Sequence, residues 1–194
     1  MTFNRSIFCI VSFVVSFATT QAQTLPVDES GKISFLEVVV ADSLPKEKLF
    51  NNGVRWLKSL SNAEEKFTLT AIDSSNQKVN GLFEFQVFQQ TGMLRKMTGA
   101  ISCKLSIETK DNKYRYAFSD FVYHYYTQNR NYKMEKTGKT KLLEEPEAAG
   151  WQKLWEKHKL TTFTKVTAMA VAMNTELKKK DNTPKEKKVK KVEW

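Results

Sequence analysis

The sequence predicts an α+β protein in which two helices cover one face of a five-stranded antiparallel sheet, in the order β-α-β-β-β-β-α. Apolar and polar residues alternate strictly over 100–109, which is typical of a strand with one buried and one solvated face. Apolar residues instead recur at helical spacing over 43–61 and 146–178. Because each helix must bury its apolar stripe, we expect both helices to pack on the same face of the sheet.

The N-terminus has the layout of a secretory signal peptide. Arg5 precedes an apolar run over 7–18, and residues 20–22 supply the small side chains of a cleavage site. That run is shorter than the roughly 20 residues that a membrane-spanning helix needs. We therefore expect a signal peptide over 1–22, cleavage near Ala22 and a periplasmic or envelope-associated protein with a single domain over 23–177.

The first strand is predicted over 31–41, where β-branched and apolar residues follow a turn. The first helix follows over 43–61, with Ser43 as an N-cap and Pro45 in its first turn. Its inward side chains at helical spacing are Leu49, Gly53, Trp56, Leu57 and Leu60.

Two further strands are predicted over 66–73 and 78–90, and the next two form a hairpin over 100–126 around a turn at 110–113. In the first strand of this hairpin the buried side chains are Ile101, Cys103, Leu105 and Ile107. The segment 127–143 is polar and basic, so it is predicted to be a connection without regular structure.

The second helix is predicted over about 146–178, with Pro146 in its first turn and glutamates near its N-terminus, where the helix dipole favours them. Trp151 and Trp155 should both be buried against the sheet, since they carry the largest apolar area of the stripe. The predicted inward stripe is Ala148, Trp151, Trp155, His158, Thr162, Val166, Met169, Met173 and Leu177.

The strand over 114–126 is unusually aromatic, and two interpretations of it remain open. A bulge at Ser119-Asp120 would place every alternate aromatic residue on the core side. Without the bulge, the second half of the strand would form a ligand or partner surface on the uncovered face. That candidate surface comprises Arg115, Phe121, Tyr123 and Tyr125. Aromatic and basic residues also serve nucleic-acid binding, but an exported protein seldom meets that ligand.

The sequence contains no recognisable catalytic or metal-binding motif. His124 and His158 lie on different elements, and no H-x-x-x-H or C-x-x-C spacing occurs. Cys103 alternates with apolar neighbours and is interpreted as a small buried residue. Asp120 is either a carboxylate with a perturbed pKa or part of the bulge. We expect no metal and no cofactor.

The C-terminal segment 178–194 is rich in lysine and lacks apolar periodicity, so it is predicted to be a disordered tail. A cationic tail of this kind is attracted to anionic surfaces such as membranes carrying phosphate groups. Its lysines are Lys178, Lys179, Lys180, Lys185, Lys187, Lys188, Lys190 and Lys191.

The stretches "LPVDESGKISFLEVVVADSLPKEKLFNNGVRWL" (25–57) and "KDNKYRYAFSDFVYHYY" (110–126) resemble the two ends of the domain-of-unknown-function family 4468. The resemblance spans about residues 25–178 and implies an exported bacterial protein with a TBP-like fold. It implies no established activity, so it assigns no catalytic residue. A fold label also carries no DNA binding with it, because function resides in sites rather than in folds.

These observations favour a non-enzymatic binding or interaction module of the periplasm or envelope. The expected partner is an envelope protein or a glycan, with an anionic membrane surface as a second contact for the tail and no nucleic acid. One alternative is a hydrolase of envelope polymers that uses Asp120 or a glutamate as acid or base. Another is a structural protein that self-associates through uncovered sheet faces.

Overall fold

The computed structural model describes residues 25–147 and 149–180. The predicted signal peptide, Ala148 of the predicted stripe and the tail beyond Lys180 lie outside the described residues. The elements are β1 (Phe35–Val40), α1 (Lys46–Ser59), β2 (Glu65–Asp73), β3 (Lys78–Thr91), β4 (Leu94–Lys110), β5 (Lys113–Gln128), β6 (Met134–Leu142) and α2 (Gln152–Leu177).

The strands form one sheet in the order β1-β5-β4-β3-β2, and every pairing is antiparallel. Since β4 occupies one edge of β5, β1 and β6 lie end to end along the other edge. β1 pairs with residues 113–118 and β6 with residues 122–128. The predicted α+β class is confirmed.

The core lies between one face of the sheet and the two helices. In β4 the alternation predicts the buried face correctly, because its four apolar residues from Ile101 to Ile107 are at most 1% exposed. In α2 the three-four spacing also predicts the buried residues correctly, from Trp155 onward. The buried residues of α2 are Trp155, His158, Thr162, Val166, Met169, Met173 and Leu177.

The segment 127–143 is predicted to be a connection, and this prediction is wrong, because most of the segment forms β6. β6 pairs with β5 through its backbone, and seven of its nine residues are exposed. A strand held in this way shows little alternation of apolar and polar residues. Within residues 25–147 and 149–180, the sheet therefore has six strands rather than the five predicted.

The helix α2 begins at Gln152, six residues later than predicted. Gly150 has a φ of +91° and so lies in a backbone region that ends a right-handed helix. Trp151 precedes the first helical residue and is 58% exposed, so the prediction of its burial is wrong. Trp155 is 3% exposed, as predicted.

A β-bulge interrupts β5 at Asp120. Ser102 pairs with Val122 but Lys104 pairs with Ser119, so Asp120 and Phe121 together face Cys103. Asp120 has a φ of 54°, in the left-handed region. The extra residue restores the phase of the strand, so the aromatic residues before and after it point to the same side.

No helix within 25–147 and 149–180 combines the length and apolar character that crossing a membrane requires.

Candidate functional site

A groove of about 620 Å³ opens where the ends of β3, β4 and β5 extend beyond the start of α2. The sheet forms its floor, and the first two turns of α2 with the residues before them form one wall. Its volume lies within the ~300–1,000 Å³ typical of sites that bind small molecules.

Five tyrosine and tryptophan side chains line this groove. Tyr123, Tyr125 and Tyr126 come from β5, while Trp151 and Trp155 come from the start of α2. The ring centroids of Tyr123 and Trp155 are 5.2 Å apart in an edge-on arrangement, and those of Tyr123 and Tyr125 are 4.9 Å apart. Because Trp151 is more than half exposed, it offers a free aromatic face at the mouth of the groove.

Two backbone features of the sheet position Tyr123. The bulge at Asp120 turns Tyr123 and Tyr125 toward the helices. Gly99 on β4 then leaves room for the tyrosine ring, because a Cβ at this position would lie 2.5 Å from Tyr123. The Tyr123 hydroxyl donates a hydrogen bond of 2.7 Å to the carbonyl of Thr98.

His158 lies at the base of the groove and is only 2% exposed. Its ring stacks on Tyr123 at a centroid distance of 5.6 Å, and Nε2 lies 3.1 Å from the Thr98 hydroxyl. Burial, reinforced by the nearby charge of Lys157, lowers the pKa of His158 to about 4. The imidazole is therefore neutral near pH 7.

A carboxylate at the rim connects the groove to β6. Glu147 accepts a hydrogen bond of 3.2 Å from the Tyr125 hydroxyl and lies 3.3 Å from Nζ of Lys141. Burial, followed by the negative charge of Glu147, raises the pKa of Tyr125 to about 12. Tyr125 therefore remains a neutral hydroxyl at physiological pH.

The structure does not bring the four candidate surface residues together. Phe121 is fully buried and Tyr123 is 5% exposed, so both belong to the core side of the sheet. Tyr125 is half-buried and lines the groove. Arg115 lies on the opposite face, where it forms an ion pair of 2.6 Å with Glu108.

The face of the sheet away from the helices is crossed by polar pairs. Lys104 lies 2.8 Å from Asp120, and Lys136 lies 2.6 Å from Glu84. Such cross-strand pairs satisfy a solvated sheet face without a ligand. Asp120 thus lies in the bulge and away from the groove, with an ion-pair partner.

Ser102 and His124 meet on this same face, at 2.8 Å between Oγ and Nε2. Burial lowers the pKa of His124, which suits a base. Ser102, however, is only 5% exposed, and neither residue lines the groove. We interpret the pair as a structural hydrogen bond.

The described part of the chain contains neither a cluster of metal-binding side chains nor an accessible thiol. No group of three or more histidine, cysteine, aspartate or glutamate side chains is clustered there. Burial raises the pKa of the Cys103 thiol, and the residue is fully enclosed. Among the described residues that line the groove, Glu147 is the one carboxylate, whereas glycoside hydrolysis uses two.

No pattern in the sequence predicts the groove as a whole, although several of its residues belong to predicted elements. Trp155 and His158 were assigned to the inward stripe of the helix, and Tyr123 and Tyr125 to a candidate surface. The sequence pattern does not identify Gln89, Thr98 or Gln128 as site residues. They lie at strand ends that only the folded sheet brings together. Gly150 was the local signal that would have placed Trp151 outside the helix.

The start of the predicted tail is part of the fold. The side chain of Asn52 on α1 is 2% exposed and donates hydrogen bonds to the carbonyls of Leu177 (2.9 Å) and Lys179 (3.0 Å). The chain is therefore held in place two residues beyond the end of α2.

Comparison with known proteins supports the resemblance noted in the sequence. The model of the family described as "Domain of unknown function (DUF4468) with TBP-like fold" matches residues 35–124. A search of curated proteins gave no match.

Two crystal structures share the fold at low sequence identity. A TBP-like protein from Parabacteroides distasonis superposes with a TM-score of 0.59 at 17% identity, covering 80% of this chain and 98% of that one. A DUF4468 family protein from Bacteroides ovatus gives a TM-score of 0.52 at 15% identity, covering 85% and 95% of the two chains. The chain therefore has a TBP-like fold, and residues 35–124 are similar to the DUF4468 family.

Proposed function

We propose that this chain is an exported, non-enzymatic binding module of the periplasm or envelope, and that the aromatic groove beside the start of α2 is its ligand site. The observation that carries the proposal is the exposed aromatic face of Trp151 above a floor of tyrosines. Large exposed aromatic side chains around a concave site are typical of binding surfaces, since they bury much area with little loss of entropy.

The chemistry of the groove favours binding over catalysis. Its deepest titratable group, His158, is enclosed and contacts Thr98 rather than open space. The rim carboxylate of Glu147 is engaged by Tyr125 and Lys141. The described lining also holds a single carboxylate, so it lacks the carboxylate pair of a glycoside hydrolase.

The ligand site is tested by scanning calorimetry of the mature protein, residues 23–194, with fractions of an envelope extract. A ligand at one hundred times its Kd stabilises the folded state by about 2.7 kcal/mol, which is a measurable rise in Tm. We expect at least one fraction to raise the Tm of the wild-type protein and of Leu36→Ala, but not of Trp151→Ala. Leu36 is the matched control, because it is similarly exposed (64%) but lies on β1.

Equal responses of all three proteins, or no response to any fraction, would contradict the groove as a ligand site. Mass spectrometry of the stabilising fraction before and after incubation tests the hydrolase alternative. Appearance of smaller products would favour an enzyme.

Export is tested separately, by N-terminal sequencing of the protein recovered from the periplasmic fraction. We expect the mature chain to begin at Gln23. Recovery of the chain from the cytoplasm with residues 1–22 intact would contradict this part of the proposal.

A further inference from the structure

The buried imidazole of His158 has a hydrogen-bond acceptor without a donor. The Thr98 hydroxyl donates its single proton to the carbonyl of Val87 at 3.1 Å. The contact between Thr98 Oγ1 and His158 Nε2 must then be donated by the ring nitrogen. In a neutral imidazole this leaves Nδ1 as a bare acceptor, and Nδ1 is buried without a protein partner.

An unpartnered buried acceptor is costly unless a donor reaches it. His158 lines the groove, but its Nδ1 is closed to a water-sized probe, so a donor from the groove reaches it only when a neighbouring side chain moves. A ligand with hydroxyl groups can donate a hydrogen bond to Nδ1, whereas an apolar ligand cannot.

The groove is also close to electrically neutral, although the whole chain carries a net charge of +10. Its lining contains one lysine, Lys96, and one glutamate, Glu147. The remaining polar side chains are uncharged amides and hydroxyls, among them Gln89, Gln128 and Thr127. A site for phosphate groups or acidic polymers would instead present several cations.

We propose that the groove binds a neutral glycan, with the apolar face of a sugar ring against Trp151 and Tyr125, and that binding moves a side chain beside His158 so that a sugar hydroxyl donates a hydrogen bond to the unpartnered Nδ1. This inference rests on the proposed function of the groove and names its ligand class. Aromatic faces match the C–H face of a pyranose ring, and amides match its ring of hydroxyls. The two kinds of side chain occur together in this lining.

The test compares trimeric probes by isothermal titration calorimetry with the mature protein. The neutral probes are maltotriose, cellotriose and tri-N-acetylchitotriose; the matched anion is trigalacturonate, and the peptide is trialanine. We expect at least one neutral trisaccharide to bind at least tenfold more tightly than trigalacturonate and trialanine. Trp151→Ala should weaken that binding at least tenfold, and Leu36→Ala should leave it unchanged.

The imidazole is followed independently by long-range ¹H–¹⁵N spectra. The Nδ1 resonance of His158 should have the downfield ¹⁵N shift of an unprotonated nitrogen, and a bound neutral trisaccharide should move it upfield. A protonated Nδ1, or a resonance unmoved at saturation, would overturn the role assigned to His158.

The outcomes separate this inference from the proposed function. If trigalacturonate or trialanine binds and Trp151→Ala abolishes that binding, the inference of a neutral glycan is wrong but the groove is still a ligand site. If none of the probes binds at millimolar concentrations but extract fractions stabilise wild type and not Trp151→Ala, the neutral-glycan inference is wrong. The groove then remains a ligand site. Failure of both experiments would overturn both proposals.

Discussion

Gly99 and Gly53 show how much a single Cβ matters at two places in the same fold. A Cβ on Gly99 would lie 2.5 Å from the Tyr123 side chain and 2.6 Å from the backbone carbonyl of His124. A Cβ on Gly53, in the middle of α1, would have the Leu177 side chain as its nearest neighbour, at an ordinary contact distance of 3.8 Å.

We therefore expect Gly99→Ala to lower the free energy of unfolding by about 1–3 kcal/mol, because the backbone of the next strand must move. Gly53→Ala should raise the free energy of unfolding by about 0.5–1 kcal/mol, since alanine loses less entropy than glycine in a helix. Urea denaturation measures both. A Gly99→Ala protein as stable as wild type would show that Tyr123 does not lie across β4 as described.

His158 should make the fold sensitive to acid. Its pKa in the folded state is about 4, below the value of about 6.5 in the unfolded chain. The unfolded state therefore binds more protons between these values, and the free energy of unfolding falls as the pH decreases from about 7 to about 4. The loss assigned to this residue is about 3 kcal/mol at most, and it is absent above pH 7.

Urea denaturation of wild type, His158→Gln and His124→Gln at pH 7.5 and 4.5 measures this effect. The difference between the two pH values should be smaller in His158→Gln than in wild type. His124→Gln is the matched control, because burial lowers the pKa of the half-buried His124 as well and the variant removes that contribution alone. An unchanged pH dependence in His158→Gln would indicate that folding does not lower the pKa of His158.

At the scale of the element, the bulge in β5 decides which side chains reach the core and the groove. Its position at Asp120 uses a residue type that tolerates a positive φ better than most. Phe121 and Tyr123 are buried only because the bulge shifts the phase of the strand after it.

Replacement of Asp120 should therefore depend on backbone preference more than on charge. Asp120→Asn loses an exposed ion pair with Lys104 and should cost no more than about 1 kcal/mol. Asp120→Val should cost about 1–2 kcal/mol more than Asn, because a β-branched residue strains the left-handed region. Denaturation midpoints compare the two variants, and equal stabilities would mean that the bulge does not need this conformation.

Strands and helices with an apolar periodicity could be predicted from the sequence, and those without it could not. The alternation in β4 and the three-four spacing of α2 identified their buried residues, since burial itself produces these patterns. β6 has mostly polar side chains, and it forms because the edge of β5 needs backbone partners. The groove depends on strand ends far apart in sequence, so no local pattern predicts it.

At the scale of the whole molecule, the lysine-rich segment remains a prediction about anionic surfaces. Asn52 holds the backbone as far as Lys179, so a truncation meant to leave the fold intact should end after Lys180 rather than after Leu177. This truncation removes the five lysines from Lys185 to Lys191.

We expect the truncated protein to keep its Tm but to lose salt-sensitive co-sedimentation with vesicles that contain phosphatidylglycerol. Attraction of about 1 kcal/mol per lysine near an anionic surface weakens as salt is added, because mobile ions screen the charges. Phosphatidylcholine vesicles provide the neutral control. Equal binding of the full-length and truncated proteins would show that the segment is not responsible.

The pairing of β1 with β5 has a consequence for the order in which the chain folds. The strands from β2 to β6 follow one another as hairpins, whereas Phe35 pairs with Phe118 only after α1 and the strands β2, β3 and β4 have intervened in the sequence. Closing so long a loop costs entropy that local contacts do not, so β1 should dock late. In native-state hydrogen exchange, the amides of β1 should then open at lower free energy than those of β3 and β4, while the meander stays protected. The first strand to be synthesised would thus be the last to join the sheet.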